Sequence, residues 1–443
     1  MNVRLRPVDT MSGRPGLTAI RCATIFVSLF LLTTGSLPSQ AVRVGPAVTT
    51  VYTFSAFNVD GVTNTDGAHL WAPLLLDSGN GLFYGVAADG GPNGTGTLFS
   101  LDTSGHLTVI HAFSALDPST QTNDDGAHPY AGLNMAPSNG IIYGTTNAGG
   151  TGGSGTIFAY SPTSHDFATI YSFTARNKNA ENTDGAVPNG GIIEASDGNL
   201  YGTTSFGGRF ATGTIYEIER PGGFKTLHSF GIEPANGTGN TFAGGPYAQL
   251  VENPKGVLWG STSYGGLTNH GSLFTMIIPS DTFTVMHFFQ GTASLYNVDG
   301  YDAVGLVATP TGVLVGVAAY GGTGGDGNVF NVQPDGSVVN IHQEDPLSYR
   351  GTNIQGGFPS APITDDKGNV YFSVCAGGEE GHGGVVKLTG FGQFKFFADT
   401  WPTQGSEPHS AVTLTPDKQL YGTTTDGGAN GTGSIFMLTI PTG

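Results

Sequence analysis

The chain has 443 residues, only 11% of them charged, with 72 glycines, 25 prolines and a net charge of −17. Glycine and proline together stay below the ~25–30% of low-complexity chains, no glycine recurs at every third position, and apolar residues at helical spacing are missing, which excludes disorder, collagen and helical bundles. So acidic a chain also excludes nucleic acid as a partner, because phosphates need clustered Lys and Arg.

Residues 1–41 read as a secretory leader. Arg4, Arg6, Arg14 and Arg21 precede the apolar run Ile25 to Leu32, and Ser39 and Ala41 are the small residues of a cleavage site. That order of charge, apolar run and small residues is the export pattern, and the run is shorter than the ~20 residues of a membrane span. Removing four Arg and one Asp takes the remaining chain to −20. A polyanionic substrate stays open, since one local basic site would suffice. Cys22 lies in the leader, so Cys375 is left alone and packing, not a disulfide, must stabilise the fold. Its strand-like neighbours make Cys375 a packed thiol rather than a nucleophile.

From Thr50 onward the chain repeats itself. An aromatic-Gly pair, small polar residues and Gly-Gly recur as YGVAADGG (Tyr84), YGTTNAGG (Tyr143), YGTTSFGG (Tyr201), WGSTSYGG (Trp259), VGVAAYGG (Val315), YFSVCAGG (Tyr371) and YGTTTDGG (Tyr421). Closing aromatics follow at Phe99, Phe158, Tyr216, Phe274, Phe330 and Phe436, with Val386 in the sixth copy. Each unit contains four β-prone runs separated by turn residues, the pattern of consecutive hairpins. Seven such units predict an all-β fold: a seven-bladed β-propeller of four-stranded antiparallel blades in one domain, 42–443. A fourth-strand pattern ending in Phe closes the earlier units but is missing after SIFMLTIPTG, whereas TVYTFSAF stands unpaired at the start. The N-terminal strand is therefore expected to complete the last blade, closing the ring and removing free sheet edges.

The phrase YGTT…GG…GTG-aliphatic-Phe, preceded by DGAxPxxxL, resembles the GloVer tandem repeat of a bacterial extracytoplasmic family described as choice-of-anchor. The resemblance covers roughly residues 50–443 and implies export and a propeller-like repeat. It brings no catalytic residues. The family's varied C-terminal anchors have no counterpart in the residues ending at Gly443, so a secreted or periplasmic monomer without a membrane anchor is expected. The Gly-Gly after the second strand is also similar to kelch repeats, a more distant analogy.

In a propeller the inter-blade loops and the second-to-third-strand loops share one face, and residues that break the repeat there are the functional candidates. DGAH gives His69 and His128, and SEPHSA puts Glu407 and His409 in the corresponding loop, with His409 one step along. Imidazole and carboxylate suit a divalent transition metal, Zn, Mn or Fe. Calcium fits less well, because the repeated Asp-Gly pairs have turn chemistry and lack EF-hand spacing. Glu379, Glu380 and His382 in AGGEEGHGG form an acid–base candidate. Arg209, Phe210, Tyr349 and Arg350 could bind a ligand by ion pairing and ring stacking. His111, His228, His287 and His342 share one strand position and read as packing. The expected function is binding of an extracellular glycan or protein. The alternatives are a polysaccharide lyase or hydrolase on the same face and a structural envelope protein; no redox cofactor signature is evident.

Overall fold

The computed structural model describes residues 48–220, 222–231, 243–266, 268–290, 299–322, 324–343, 353–378, 381–389, 393–399 and 405–440, all within the compact unit Val42–Gly443. The expected leader, residues 1–41, lies outside them. The described residues form strands and loops with one 3-10 turn, Ile278–Ser280, and no α-helix. Among the described residues no helix is long and apolar enough to cross a membrane.

Seven antiparallel sheets follow one another as the blades of a β-propeller. Blade 1 has the order Leu75–Asp77, Leu82–Ala87, Thr97–Leu101 and Leu107–Ala112. Blades 2 to 5 repeat it, and blade 6 splits its first strand into Asn353–Pro359 and Ile363–Thr364. Blade 7 takes three strands from the C-terminal end, and Thr49–Thr53 pairs with Ser434–Thr439 as its fourth. The expected closure is therefore realised. Phe54, at the end of that strand, is fully buried, and its carbonyl accepts hydrogen bonds from Asn430 Nδ2 (2.7 Å) and Thr432 Oγ1 (3.0 Å). First strands touch across blade boundaries, as where Thr413 Oγ1 donates to the Leu74 carbonyl (2.6 Å). They form the inner wall, while fourth strands expose alternate residues at the rim.

The repeat phrase has a packing cause. In blade 1 the aromatic-Gly glycine, Gly85, lies directly opposite the closing aromatic Phe99. A Cβ on Gly85 would overlap the Phe99 ring, and the same holds for Gly144 against Phe158 and Gly422 against Phe436. Blade 6 departs at both positions together: Phe372 stands opposite Val386. The large and small residues have changed strands, and both are fully buried.

The Asp-Gly aspartates do more than form turns. Each carboxylate holds the end of the preceding fourth strand. Asp66 accepts from Tyr52 Oη (2.7 Å) and the Ser55 N–H, and Asp184 from Tyr171 Oη (2.8 Å) and the Thr174 N–H. Asp125 pairs with His111 Nε2 (2.8 Å) and Asp299 with His287 Nε2 (3.0 Å). The histidine series is packing, as expected. His111 stacks on Phe167 at 3.7 Å and His228 on Phe283 at 3.8 Å, each on the neighbouring blade.

Candidate functional site

The two loop sets do share a face. Short antiparallel bridges join the inter-blade loop to the Gly-Gly loop, at Ala68 with Asp89, Ala127 with Ala148, Ala186 with Phe206 and Ser406 with Asp426. The residue after each bridge is held in the left-handed region: His69 (φ 55°), His128 (φ 57°), Val187 (φ 58°), Gly245 (φ 60°) and, in later blades, Asp302, Phe358 and Glu407. Its backbone stitches two blades. The His128 N–H donates to the Thr95 carbonyl (2.8 Å) of blade 1, and the His128 carbonyl accepts from the Asn147 N–H (3.0 Å) of blade 2. The chain then turns toward the inner strand. The residue two places further on stands at the mouth of the ring.

At that second position blades 7, 1 and 2 carry His409, Trp71 and Tyr130. Trp71 stacks on His409 with centroids 4.8 Å apart at 30°, and lies 6.0 Å from Tyr130. All three side chains are half-buried, leaving part of each ring accessible. Further round, Asn189 accepts from Asn147 Nδ2 (2.5 Å) and donates to Ser205 (3.0 Å). Its neighbour Tyr247 is 38% exposed yet surrounded by protein, which with the Asp302 charge pushes its hydroxyl up to about 12. Burial also raises the Asp302 carboxyl, and a hydrogen bond from Ser263 offsets part of this.

His69 and His128 meet on a shared carboxylate. His69 Nδ1 lies 2.9 Å from Asp89 Oδ2 and His128 Nδ1 2.9 Å from Asp89 Oδ1. Burial alone would raise the Asp89 carboxyl; hydrogen bonds from His128 and His69 outweigh it and hold the group well below the usual carboxylate range. A carboxylate that fixes Nδ1 orients the ring and its other nitrogen, the relation found in general-base pairs.

His409 belongs to a separate group. It contacts Glu407 at 3.5 Å besides Trp71. The chain aligns on the proline after the left-handed residue, so Glu407 matches His128 and His409 matches Tyr130, two places along rather than one. The four residues expected to gather round a metal thus form two groups. Among the described residues, no three His, Cys, Asp or Glu are arranged to hold a metal ion. His382 lies in the blade 6 loop, while Glu379, Glu380, Tyr349 and Arg350 lie outside the described residues. Arg209 and Phe210 stay together, the guanidinium 5.2 Å from the ring, on the fourth-strand side of blade 3, where the Arg209 N–H meets Ser229. Cys375 is buried. Sequence reasoning missed Asp89, Trp71, Tyr130, Tyr247 and Asp302; Tyr130 and Tyr247 would have emerged from aligning the repeats on the proline before each, whereas Trp71 and Asp302 have no such proline and Asp89 lies in the Gly-Gly loop.

Fold and site together define a seven-bladed propeller whose loop-face mouth is lined by aromatic rings, imidazoles and carboxylates. Residues 41–182, 120–301 and 174–354 match the model of the Gloeobacter/Verrucomicrobia repeat, and the chain belongs to that family. No curated protein matches it. Among solved structures, it is similar to an oligogalacturonate lyase in complex with manganese (11% identity, TM-score 0.52, 90% of this chain and 97% of that one). An oligogalacturonate lyase from Vibrio parahaemolyticus gives 11% identity, TM-score 0.52, and 90% and 98% coverage. A gluconolactonase from Xanthomonas campestris gives 12% identity, TM-score 0.42, and 86% and 99% coverage. At these identities the likeness is one of fold.

Proposed function

We propose that this protein binds an extracellular glycan at the loop-face mouth. The observation that carries the reading is the Trp71 shelf: three partly exposed rings from three blades, packed together where the inner strands begin. Sugar rings present C–H faces that lie flat on aromatic side chains, and polar groups around the stack fix their hydroxyls. Asn189, Tyr247 and Asp89 supply such groups. An export leader in residues 1–41 would carry the protein outside the cytoplasm, where glycans are abundant. The test is binding of oligosaccharides to the purified protein and to Trp71→Ala. Loss of a stacking platform should weaken binding at least ~10-fold with the melting temperature little changed. Equal binding by both proteins would refute the reading.

One observation favours a second reading, cleavage of a bound glycan. Asp89 orients His128 and His69 beside the shelf, and the lyases of similar fold act on oligogalacturonate by their names. In this reading one imidazole takes a proton from a water that attacks the anomeric carbon, the ionised Asp89 stabilises the resulting imidazolium, and a proton passes to the oxygen that leaves as the glycosidic bond breaks. His128→Ala would then abolish turnover and leave binding intact. Absence of turnover on any bound oligosaccharide would leave the binding reading alone.

A further inference from the structure

Three residues per blade surround the mouth: the left-handed residue, the one two places on, and the bridge residue of the Gly-Gly loop. Across all seven blades none of these is Lys or Arg, while Asp89, Asp302, Glu407 and Asp426 are among them. Asp426 is exposed and Glu407 half-buried, both on blade 7 beside His409, and Asp89 lies on the blade 1 side of Trp71. The carboxylates therefore flank the aromatic shelf on both sides. Asn147 adds an acceptor: 5% exposed, it spends Nδ2 on Asn189 and leaves Oδ1 without a partner among the described residues.

From this placement we infer that the mouth selects glycans of amine-bearing sugars, of the glucosamine type, and rejects uronates. The inference rests on the glycan reading above and gives it a substrate class. A sugar ammonium is attracted twice, by the carboxylates and by the faces of Trp71 and Tyr130 through cation–π contact. Among the described residues at the mouth a uronate carboxylate meets carboxylates and no Lys or Arg, within a protein of net charge −17, and like-charge juxtaposition is the ordinary means of excluding a wrong ligand. Arg209 does not alter this balance, because its guanidinium sits on Phe210 toward the blade rim. Among the described residues the mouth itself thus holds no cationic site for a polyanion, although the fold is shared with proteins named for oligogalacturonate.

The experiment compares hexamers of glucosamine, N-acetylglucosamine and galacturonate by titration calorimetry on the full chain, near neutral pH, at low salt and at ~1 M salt, where the screening length falls to ~3 Å. The glucosamine hexamer should bind about tenfold tighter than the acetylated one at low salt. The advantage should shrink at high salt and in a Glu407→Gln, Asp426→Asn double variant. Galacturonate binding that equals or exceeds glucosamine binding would overturn the inference; if it also required Trp71, the glycan reading would survive. An amine preference untouched by salt and by the double variant would overturn it as well. If none of the three hexamers binds, the glycan reading itself fails and the inference falls with it.

Discussion

His228 offers a test of how burial and partnering set the pH response of the fold. Its counterparts His111 and His287 face an aspartate of the following loop. In the His228 repeat the sequence carries Phe242 where that aspartate would stand. His228 is instead packed flat on Phe283 and edge-on to Phe230, at 3.8 and 5.1 Å, and burial pushes its imidazole down to about 4. An unfolded histidine titrates near ~6.5. Between those values the unfolded chain binds a proton that the folded chain refuses, so stability rises with pH across that window. The contribution is complete above pH ~6.5 and lost as pH falls through ~4; a shift of that size amounts to roughly 3 kcal/mol. With ~2.1 cal/mol/K of unfolding entropy per residue over roughly 400 residues, that is about 4 °C. His228→Phe should fold normally, because an aromatic ring, Tyr171, occupies the matching position in blade 2 and stacks on Phe224. Thermal melts of both proteins from pH ~7.5 to ~4.5, which span most of that window, should diverge by about 3 °C, with the wild type losing more. Parallel profiles would refute burial as the cause.

Three further outcomes follow from named contacts. Phe54→Ala should cost ~3–5 kcal/mol in urea unfolding, since it empties a fully buried ring from the strand that closes blade 7; a loss under ~1 kcal/mol would mean that closure contributes little. Gly85→Phe should be severely destabilising alone but largely rescued by Phe99→Val, reproducing the Phe372–Val386 pair of blade 6. A double-mutant cycle should give at least ~2 kcal/mol of coupling, and additive losses would contradict the packing argument. Asp89→Asn should cost roughly 1–2 kcal/mol near neutral pH, a figure already reduced for the partial exposure of the carboxylate. Because the folded Asp89 value is depressed, the wild-type advantage should persist down to pH ~4 and shrink below it, which melts at successive pH values would show.

The blades were legible because the repeat states the same packing rule many times over. A glycine facing a ring across two strands leaves two marks in the sequence, and both recur at fixed spacing. Even the sixth copy obeys the rule in reverse, as its Phe372 and Val386 exchange shows. The ring closure was legible by counting: a fourth strand missing at one end and present at the other. Less legible was the duty of the Asp-Gly aspartates. Turn chemistry alone accounts for their presence in the sequence, and nothing local reveals that Asp125 also reaches His111 on the preceding strand.

The mouth was harder to read for a reason built into the fold. Its residues come from loops of different blades, and the distances between them depend on ring geometry rather than on sequence spacing. His69 and His128 were identifiable as departures, but Asp89 was hidden inside a Gly-Gly phrase that varies freely. The left-handed residue explains why such variation is tolerated. Its N–H and carbonyl stitch neighbouring blades whatever the side chain is, and even Val187, β-branched and disfavoured at positive φ, is held there by both bonds. Since the backbone alone meets the folding requirement, the side chain is released from it. Seven positions round one opening can then differ in charge and shape at little cost to stability. That separation lets an almost symmetric ring carry an asymmetric mouth, with Glu407, His69 and His128 at this position on one side and Val187, Gly245 and Asp302 on the other.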